Sequence, residues 1–291
     1  MRIIIIGGSG LIGGSLYNLL KRSNNEVIAT YCNKKMPGMI KFNMVDQKIS
    51  EIIPNINEKD IFLIMSACSN PNWIFNNKEL AYKINVSATI DLIKQLIEHN
   101  AKIFFMSSVE IFDGKEDRYA ENSKSNPLNY YGKTKVIVEE FLKKNCNNNV
   151  ILRTGWNVGI NRESRCVVSL TYKTLLSENA KMAFDNSFSI THVEDLASAI
   201  NKILLKKDNS IYHLSSSQIV KRTELADFII KNSKRGKEMV YKKVPFSEIE
   251  YSEPRSRLNH LKSEINFVNE EIYFRSPYET VLEKVKFLDN S

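Results

Sequence analysis

Apolar residues recur along the first half of the chain in two alternating rhythms. Short, β-branched runs at Arg2–Ile6, Glu26–Tyr31, Ile61–Met65, Lys102–Met106 and Val150–Arg153 have the length and composition of buried strands. Between them, apolar positions return every three or four residues. Leu11, Ile12, Leu16, Leu19 and Leu20 form a stripe within Leu11–Lys21, and Ile84, Ala88, Leu92 and Leu96 form another within Leu80–Glu98. A third helix is expected to begin after Pro127 and run through Phe141. Strand-helix-strand alternation of this kind predicts an α/β fold, a doubly wound parallel sheet with helices on both faces. The asparagine-rich stretch Asn145–Asn149 reads as a turn before a strand. Beyond Gly155 the alternation becomes irregular, and the clear elements are a helix over Val193–Leu205 and a strand over Ser210–Leu214.

Composition changes that picture little. The chain has 291 residues, 43% hydrophobic and 25% charged, within the range of globular proteins. Its net charge of +8, from 41 Lys and Arg against 33 Asp and Glu, favours anionic partners. No run of five like charges appears, so nucleic acid is not an expected partner. The apolar run Ile3–Ile6 stops at Gly7-Gly8, short of the roughly 7–15 residues of a signal peptide or the roughly 18 of a membrane span. A cytoplasmic location with no membrane span is therefore expected. Cys32, Cys68, Cys146 and Cys166 show no Cys-x-x-Cys spacing and read as reduced thiols, and the four histidines show no metal spacing. No metal site is expected.

The segment Gly7-Gly8-Ser9-Gly10-Leu11-Ile12-Gly13 follows a buried-type strand and opens an amphipathic helix. That is the setting of a dinucleotide loop, in which glycines permit a tight turn and close approach while helix N–H groups face a pyrophosphate. NAD-binding versions place an acid about 20 residues on, against the ribose 2′-hydroxyl. Here the second strand ends Ala29-Thr30-Tyr31-Cys32-Asn33-Lys34-Lys35, with no acid. Lys34 or Lys35 could instead pair with a 2′-phosphate. NADPH is the expected coenzyme, with NADH as the alternative. The first half is then a Rossmann-type cofactor domain. We expect it to span residues 1–155, with roughly 187–212 returning to it, and a smaller substrate-binding lobe to comprise 156–186 and 213–291.

Tyr131 and Lys135 stand four apart on a predicted helix and so share a face. A phenol ordinarily titrates at about 10, and a nearby ammonium and an oxidised nicotinamide would both draw it down towards neutrality. Ser107 and Ser108 follow the strand Lys102–Met106, at the sheet edge where open α/β folds place ligands. A hydroxyl there can bond a carbonyl oxygen while Tyr131 protonates it. We take Ser108, Tyr131 and Lys135 as the catalytic set.

These motifs resemble the extended short-chain dehydrogenase/reductase superfamily. The resemblance extends through Asn85 within Ile84-Asn85-Val86, Pro127-Leu128-Asn129-Tyr130-Tyr131-Gly132-Lys133-Thr134-Lys135, Arg153-Thr154 and Thr191-His192-Val193-Glu194-Asp195-Leu196-Ala197. Ile111-Phe112-Asp113-Gly114, Arg153-Thr154-Gly155-Trp156 and Pro254-Arg255-Ser256-Arg257-Leu258-Asn259 look most like dTDP-4-dehydrorhamnose reductases. The resemblance implies reduction of the C4 ketone of a nucleotide-linked 4-keto-6-deoxy sugar by NADPH, in a protein that could form a homodimer. Tyr131 would donate the proton, Lys135 would hold the nicotinamide ribose, and Ser108 would polarise the ketone. The positions implied for the cofactor are Gly7, Gly10, Leu11, Ile12, Gly13, Tyr31, Lys34, Lys35, Ala67, Asn85, Tyr131 and Lys135. Those implied for substrate are Ser108, Trp156 and Arg257, against the plainer readings of Trp156 as a core aromatic and Arg257 as surface charge. The chain departs from the pattern after the third of these strands, where Ser66–Trp73 carries no acid, and at Val158 and Ile190.

Two other functions fit the same residues. A nucleotide-sugar 4-epimerase keeps Ser, Tyr and Lys and holds NAD through its cycle. A non-catalytic regulatory subunit similar to the methionine adenosyltransferase β-subunit would keep the loop without turnover. A 4,6-dehydratase would need an acid pair where Val109-Glu110 stands, and only Glu110 is present.

Overall fold

In a computed structural model, which describes residues 2–160, 166–204, 206 and 209–291, the chain begins with β1 (Arg2–Ile6), α1 (Leu11–Leu20), β2 (Glu26–Tyr31), β3 (Ile40–Lys41) and β4 (Ile61–Ile64). There follow α2 (Pro71–Asn76), α3 (Lys78–Tyr82), α4 (Thr89–Glu98), β5 (Lys102–Met106), α5 (Tyr130–Asn145) and β6 (Asn149–Arg153). The irregular part holds β7 (Trp156–Val158), α6 (Val167–Leu175), β8 (Lys181–Ala183), β9 (Ser187–His192), α7 (Val193–Leu204), β10 (Ile211–His213), β11 (Ile219–Lys221) and α8 (Arg222–Asn232). It ends with β12 (Lys242–Val244), β13 (Leu258–Asn259), α9 (Asn266–Glu271) and α10 (Pro277–Leu288).

Seven strands form one parallel sheet in the order β10-β6-β5-β4-β1-β2-β3. The order reverses at β1, which creates the crevice that ligands use in doubly wound folds. The four isoleucines of β1 serve two cores in alternation, as a strand buried on both faces must. Ile3 and Ile5 pack with Leu16 and Leu20 of α1 and Leu196 and Ile200 of α7. Ile4 and Ile6 pack with Leu92 and Leu96 of α4 and Val138 and Leu142 of α5. Each such side chain contributes about 1.5–3 kcal/mol on burial, so the central strand is among the best-anchored parts of the molecule.

A smaller sheet of β11, β9 and β13, with β7 beside β9, covers the carboxyl side and has its own core around Phe188, Ile190, Val220 and Ile229. The expected boundaries shift here. β9 belongs to the small sheet because Trp156 to Val158 pairs along Ile190 to His192, so the chain returns to the large sheet at Val193. Val268, with Ile265, Phe267, Ile272 and Phe274, packs into the large-sheet core, although 213–291 was expected to serve the other lobe. The expected last residue of the α7 helix, Leu205, lies outside the described residues. Asn145 closes α5 and Asn149 opens β6, leaving a turn of only 146–148. Among the described residues no helix is long and apolar enough to cross a membrane.

The expected helix Leu80–Glu98 is the most informative departure. It starts at Lys78 and contains a π-helical turn, Lys83–Ala88, in which Asn85 is 3% exposed. The wider turn directs the Asn85 amide across to the end of β4, where it accepts from the Cys68 N–H (2.8 Å) and donates to the Cys68 carbonyl (2.9 Å). The Thr89 hydroxyl takes up the displaced Ile84 carbonyl at 3.0 Å. Single π-turns of this kind concentrate at functional sites.

Candidate active site

At the end of β1, Gly7 adopts φ +89°, and a Cβ there would lie 2.8 Å from the Ser66 backbone nitrogen. A Cβ on Gly13 would lie 2.3 Å from the Gly7 carbonyl. Side chains at these points would push α1 away from the loop. α1 begins with neither a side-chain cap nor an acid in its first turn, which leaves a positive helix terminus directed at the crevice. Glycine, helix terminus and crevice together make a cradle suited to a dinucleotide pyrophosphate. At the tip of β2, Tyr31 is partly buried, while Lys34 and Lys35 are exposed. Asn85 braces the 66–68 segment that carries Ala67 on the other side of the crevice.

The β5–β6 pairing continues past Met106. Ser107 N–H donates to the Leu152 carbonyl (2.7 Å) and Val109 N–H to that of Thr154 (2.9 Å), so both serines sit on fixed backbone. They then face different surroundings. Ser107 donates to Glu139 at 2.5 Å in the interior, and Glu139 holds Arg153 at 2.6 Å. Ser108 accepts from the Glu110 N–H at 3.2 Å, and it lies near enough to Tyr131 to draw the phenol pKa down. Ser107 is thus committed to the interior, and Ser108 to the end of α5.

Tyr131 is brought to Ser108 by the first turn of α5. Asn129 caps that turn by accepting from the Gly132 N–H (2.9 Å), and its amide donates to Glu110 at 2.5 Å. A Cβ on Gly132 would stand 2.0 Å from the Glu110 carbonyl. Only glycine lets α5 approach the segment after Ser108 this closely. Lys135, 3% exposed, donates to the Met106 carbonyl at 2.8 Å, with its ammonium 5.8 Å from the Tyr131 ring centroid. The neighbouring pair Tyr130 and Lys133 is not equivalent, since Lys133 is exposed.

Burial pushes the Tyr131 phenol above its ordinary range, the Glu110 charge adds to this, and Ser108 opposes both. In the protein alone these influences favour the protonated phenol, and the lowering expected from an oxidised nicotinamide would come with the bound cofactor. Burial lowers Lys135 to about 8, with Glu139 opposing the change. Burial also raises the Glu110 carboxyl, against its bond to Asn129 and the charge of Arg255.

The implied substrate positions divide. Trp156 is partly buried and tilts against Phe188, with ring centroids 6.1 Å apart, as part of the small-lobe core. Arg257 is exposed and turns to Asp185, with a guanidinium–carboxylate distance of 3.9 Å. Arg222 and Arg255, rather than Arg257, surround Tyr251. Sequence reasoning missed the Ser107–Glu139–Arg153 network, although Glu139 stands four residues after Lys135. Among the described residues there is no cluster of three or more metal-ligating side chains.

A family described as RmlD substrate binding domain matches residues 1–286. Methionine adenosyltransferase 2 subunit beta of Bos taurus is 26% identical over 233 residues, covering 77% of this chain and 70% of that protein. A dTDP-4-dehydrorhamnose reductase from Clostridium acetobutylicum has the same fold, with a TM-score of 0.82 at 23% identity over 99% of both chains. The dTDP-4-dehydrorhamnose reductase of Bacillus anthracis, solved in complex with NADP, gives 0.80 at 21% identity over 100% of this chain and 99% of that one. The family match spans nearly the whole sequence, and the chain belongs to the RmlD substrate binding domain family.

Proposed function

We propose that the protein reduces the C4 ketone of a nucleotide-linked 4-keto-6-deoxy sugar, with NADPH as coenzyme and NADH as the weaker alternative. The observation that carries this reading is the meeting of Ser108, a protonated Tyr131 and buried Lys135 beside the glycine cradle. Gly7, Gly10, Leu11, Ile12 and Gly13 would hold the pyrophosphate, Tyr31, Lys34 and Lys35 the adenosine end, and Ala67 and Asn85 the wall facing them. NADPH supplies the hydride when bound. Ser108 donates a hydrogen bond to the ketone oxygen, and Tyr131 delivers its proton to that oxygen as C4 becomes a secondary alcohol. Lys135 would hold the nicotinamide ribose. A phenol that keeps its proton is the form needed for reduction. The Bacillus anthracis relative with NADP supports the coenzyme assignment. A two-lobed division into cofactor and substrate parts, a homodimeric state and a cytoplasmic setting belong to the same proposal.

The similarity to methionine adenosyltransferase 2 subunit beta favours a second reading, a subunit that binds nucleotide to regulate a partner. One experiment separates the two: incubation with NADPH and a panel of nucleotide-linked 4-keto-6-deoxy sugars, following NADPH absorbance and product stereochemistry. The reductase consumes NADPH with at least one sugar. No consumption with any of them, in protein that binds NADPH, removes the reductase reading. NAD that stays bound through purification, with sugar interconversion and no net consumption, marks an epimerase.

A further inference from the structure

Glu110 is the acid left without a partner when a dehydratase pair is sought, since buried Val109 stands at the other place. It lies in a short 3-10 turn, Val109–Ile111, that follows Ser108 and is anchored where Val109 and Ile111 pack with Phe112 and Tyr119. Three groups of Glu110 reach the catalytic set. Its N–H donates to the Ser108 hydroxyl oxygen at 3.2 Å, which leaves that hydroxyl's own proton available to a ketone. Its carbonyl lies 2.0 Å from where a Cβ on Gly132 would stand, so the turn and the start of α5 are in close contact. Its carboxylate accepts from the Asn129 amide at 2.5 Å.

The bond to Asn129 sets a direction. Asn129 is 2% exposed and caps α5, with its side-chain oxygen accepting from the Gly132 N–H (2.9 Å) and its backbone carbonyl from the Lys133 N–H (3.1 Å). An amide has a donor end and an acceptor end, and a carboxylate can only accept. Glu110 therefore takes the NH2 end and turns the oxygen towards Gly132, which is the orientation that caps the helix. The same bond opposes the rise that burial imposes on the Glu110 carboxyl. Tyr131 stands between Asn129 and Gly132 in that first turn, so the contacts Ser108–Glu110–Asn129–Gly132 close around it.

We propose that Glu110 is a positioning residue, which by orienting Asn129 holds the first turn of α5, and with it Tyr131, in register with Ser108. The proposal rests on the proposed reduction for the role of Tyr131 as proton donor. Glu110 itself transfers no proton and needs no second acid at Val109. The carboxylate acts through the acceptor it offers to Asn129, and an uncharged acceptor of the same length should serve in its place.

Two readouts test this: kcat with NADPH and a nucleotide-linked 4-keto-6-deoxy sugar, and hydrogen exchange at the Gly132 amide, which needs no turnover. Glu110→Gln keeps an acceptor for Asn129, and both readouts should stay within about threefold of wild type. Glu110→Ala should lower kcat about 10- to 100-fold, the cost of a displaced reacting group, with NADPH affinity unchanged. Its Gly132 exchange should quicken about 5- to 10-fold as the cap weakens. Asn129→Asp sets two acceptors face to face and should resemble Glu110→Ala. Adding Glu110→Gln to Asn129→Asp returns a donor to the pair and should recover most of both losses, a rescue that a space-filling role does not produce. Should Glu110→Ala fail to fold, Asn129→Asp with and without Glu110→Gln decides the matter. Unchanged Gly132 exchange in Glu110→Ala, equal loss of turnover in Glu110→Gln and Glu110→Ala, or a double variant no better than Asn129→Asp overturns the proposal. A wild type that consumes NADPH on no keto sugar, with Gly132 exchange still following the pair, overturns the reduction and leaves Glu110 holding the Tyr131 turn.

Discussion

Lys135 and Glu139 lie one turn apart on α5, 3% and 1% exposed, and the protein treats their charges in opposite ways. Glu139 is enclosed by Arg153, Ser107 and Lys143. Burial alone would raise its carboxyl, but those donors hold it below the ordinary carboxylate range. Lys135 receives one backbone carbonyl, and burial dominates its behaviour. The same division separates Ser107, spent on Glu139, from Ser108, which meets Tyr131. The buried charge of Glu139 is neutralised inside the molecule, whereas the charge proposed for chemistry is left responsive to its surroundings.

Substitutions on the two sides should therefore fail in different ways. Tyr131→Phe is expected to lower kcat about 10³-fold, within the usual contribution of a positioned proton donor, with NADPH affinity and Tm unchanged. Retained turnover would take Tyr131 out of the mechanism. Arg153→Leu should act on the fold instead, by about 3–5 kcal/mol, because it strands the Glu139 carboxylate. Denaturant unfolding of that variant beside Glu139→Leu with Arg153→Leu would show the double change to be milder. Equal or greater loss in the double variant would mean that packing, not charge pairing, governs the site. Ser108→Ala should reduce kcat about 10²-fold with little change in stability, whereas Ser107→Ala should do the reverse.

The proton on Lys135 gives a sharper contrast. Its pKa is lowered to about 8 from an ordinary 10.5. Between those values the unfolded chain carries a proton that the folded protein lacks, so this residue makes stability rise with pH across the window. Activity should move the other way, since the ammonium is the working form, and kcat/KM should fall as pH rises through about 8. A profile flat to pH 10 would show that the Lys135 charge is not needed.

Much of this arrangement could be read before any coordinates. β1 and β2 begin and end where the sequence reading places them, and β1 is buried without a break from Ile3 to Ile6. That Ser108, Tyr131 and Lys135 come together was legible because one strand end and one helical repeat set their spacing. The π-turn at Lys83–Ala88 was not, since its cause is a bond from Asn85 to a segment 17 residues away in sequence. Three-residue strands such as β7 and β11 carry too few positions for alternation to register. The raised Tyr131 phenol was not legible either, because spacing reveals that Lys135 is near but not how burial and Glu110 act on the phenol.

The smallest expected effect concerns the tip of β2, where structural and functional charge are hardest to separate. Lys34 and Lys35 are exposed, so each contributes through solvent and not through a buried pair. An exposed ion pair is worth about 0–1 kcal/mol, so removing both should change the NADPH-to-NADH ratio of kcat/KM by about 3- to 30-fold. The loss should fall on NADPH alone, since NADH has no 2′-phosphate for either lysine to meet. Raising ionic strength should shrink the wild-type preference towards that of Lys34→Ala with Lys35→Ala, because screening acts on the same contact. A ratio unchanged by the double substitution would make the two lysines ordinary surface charge and return the coenzyme preference to the uncharged end of β2.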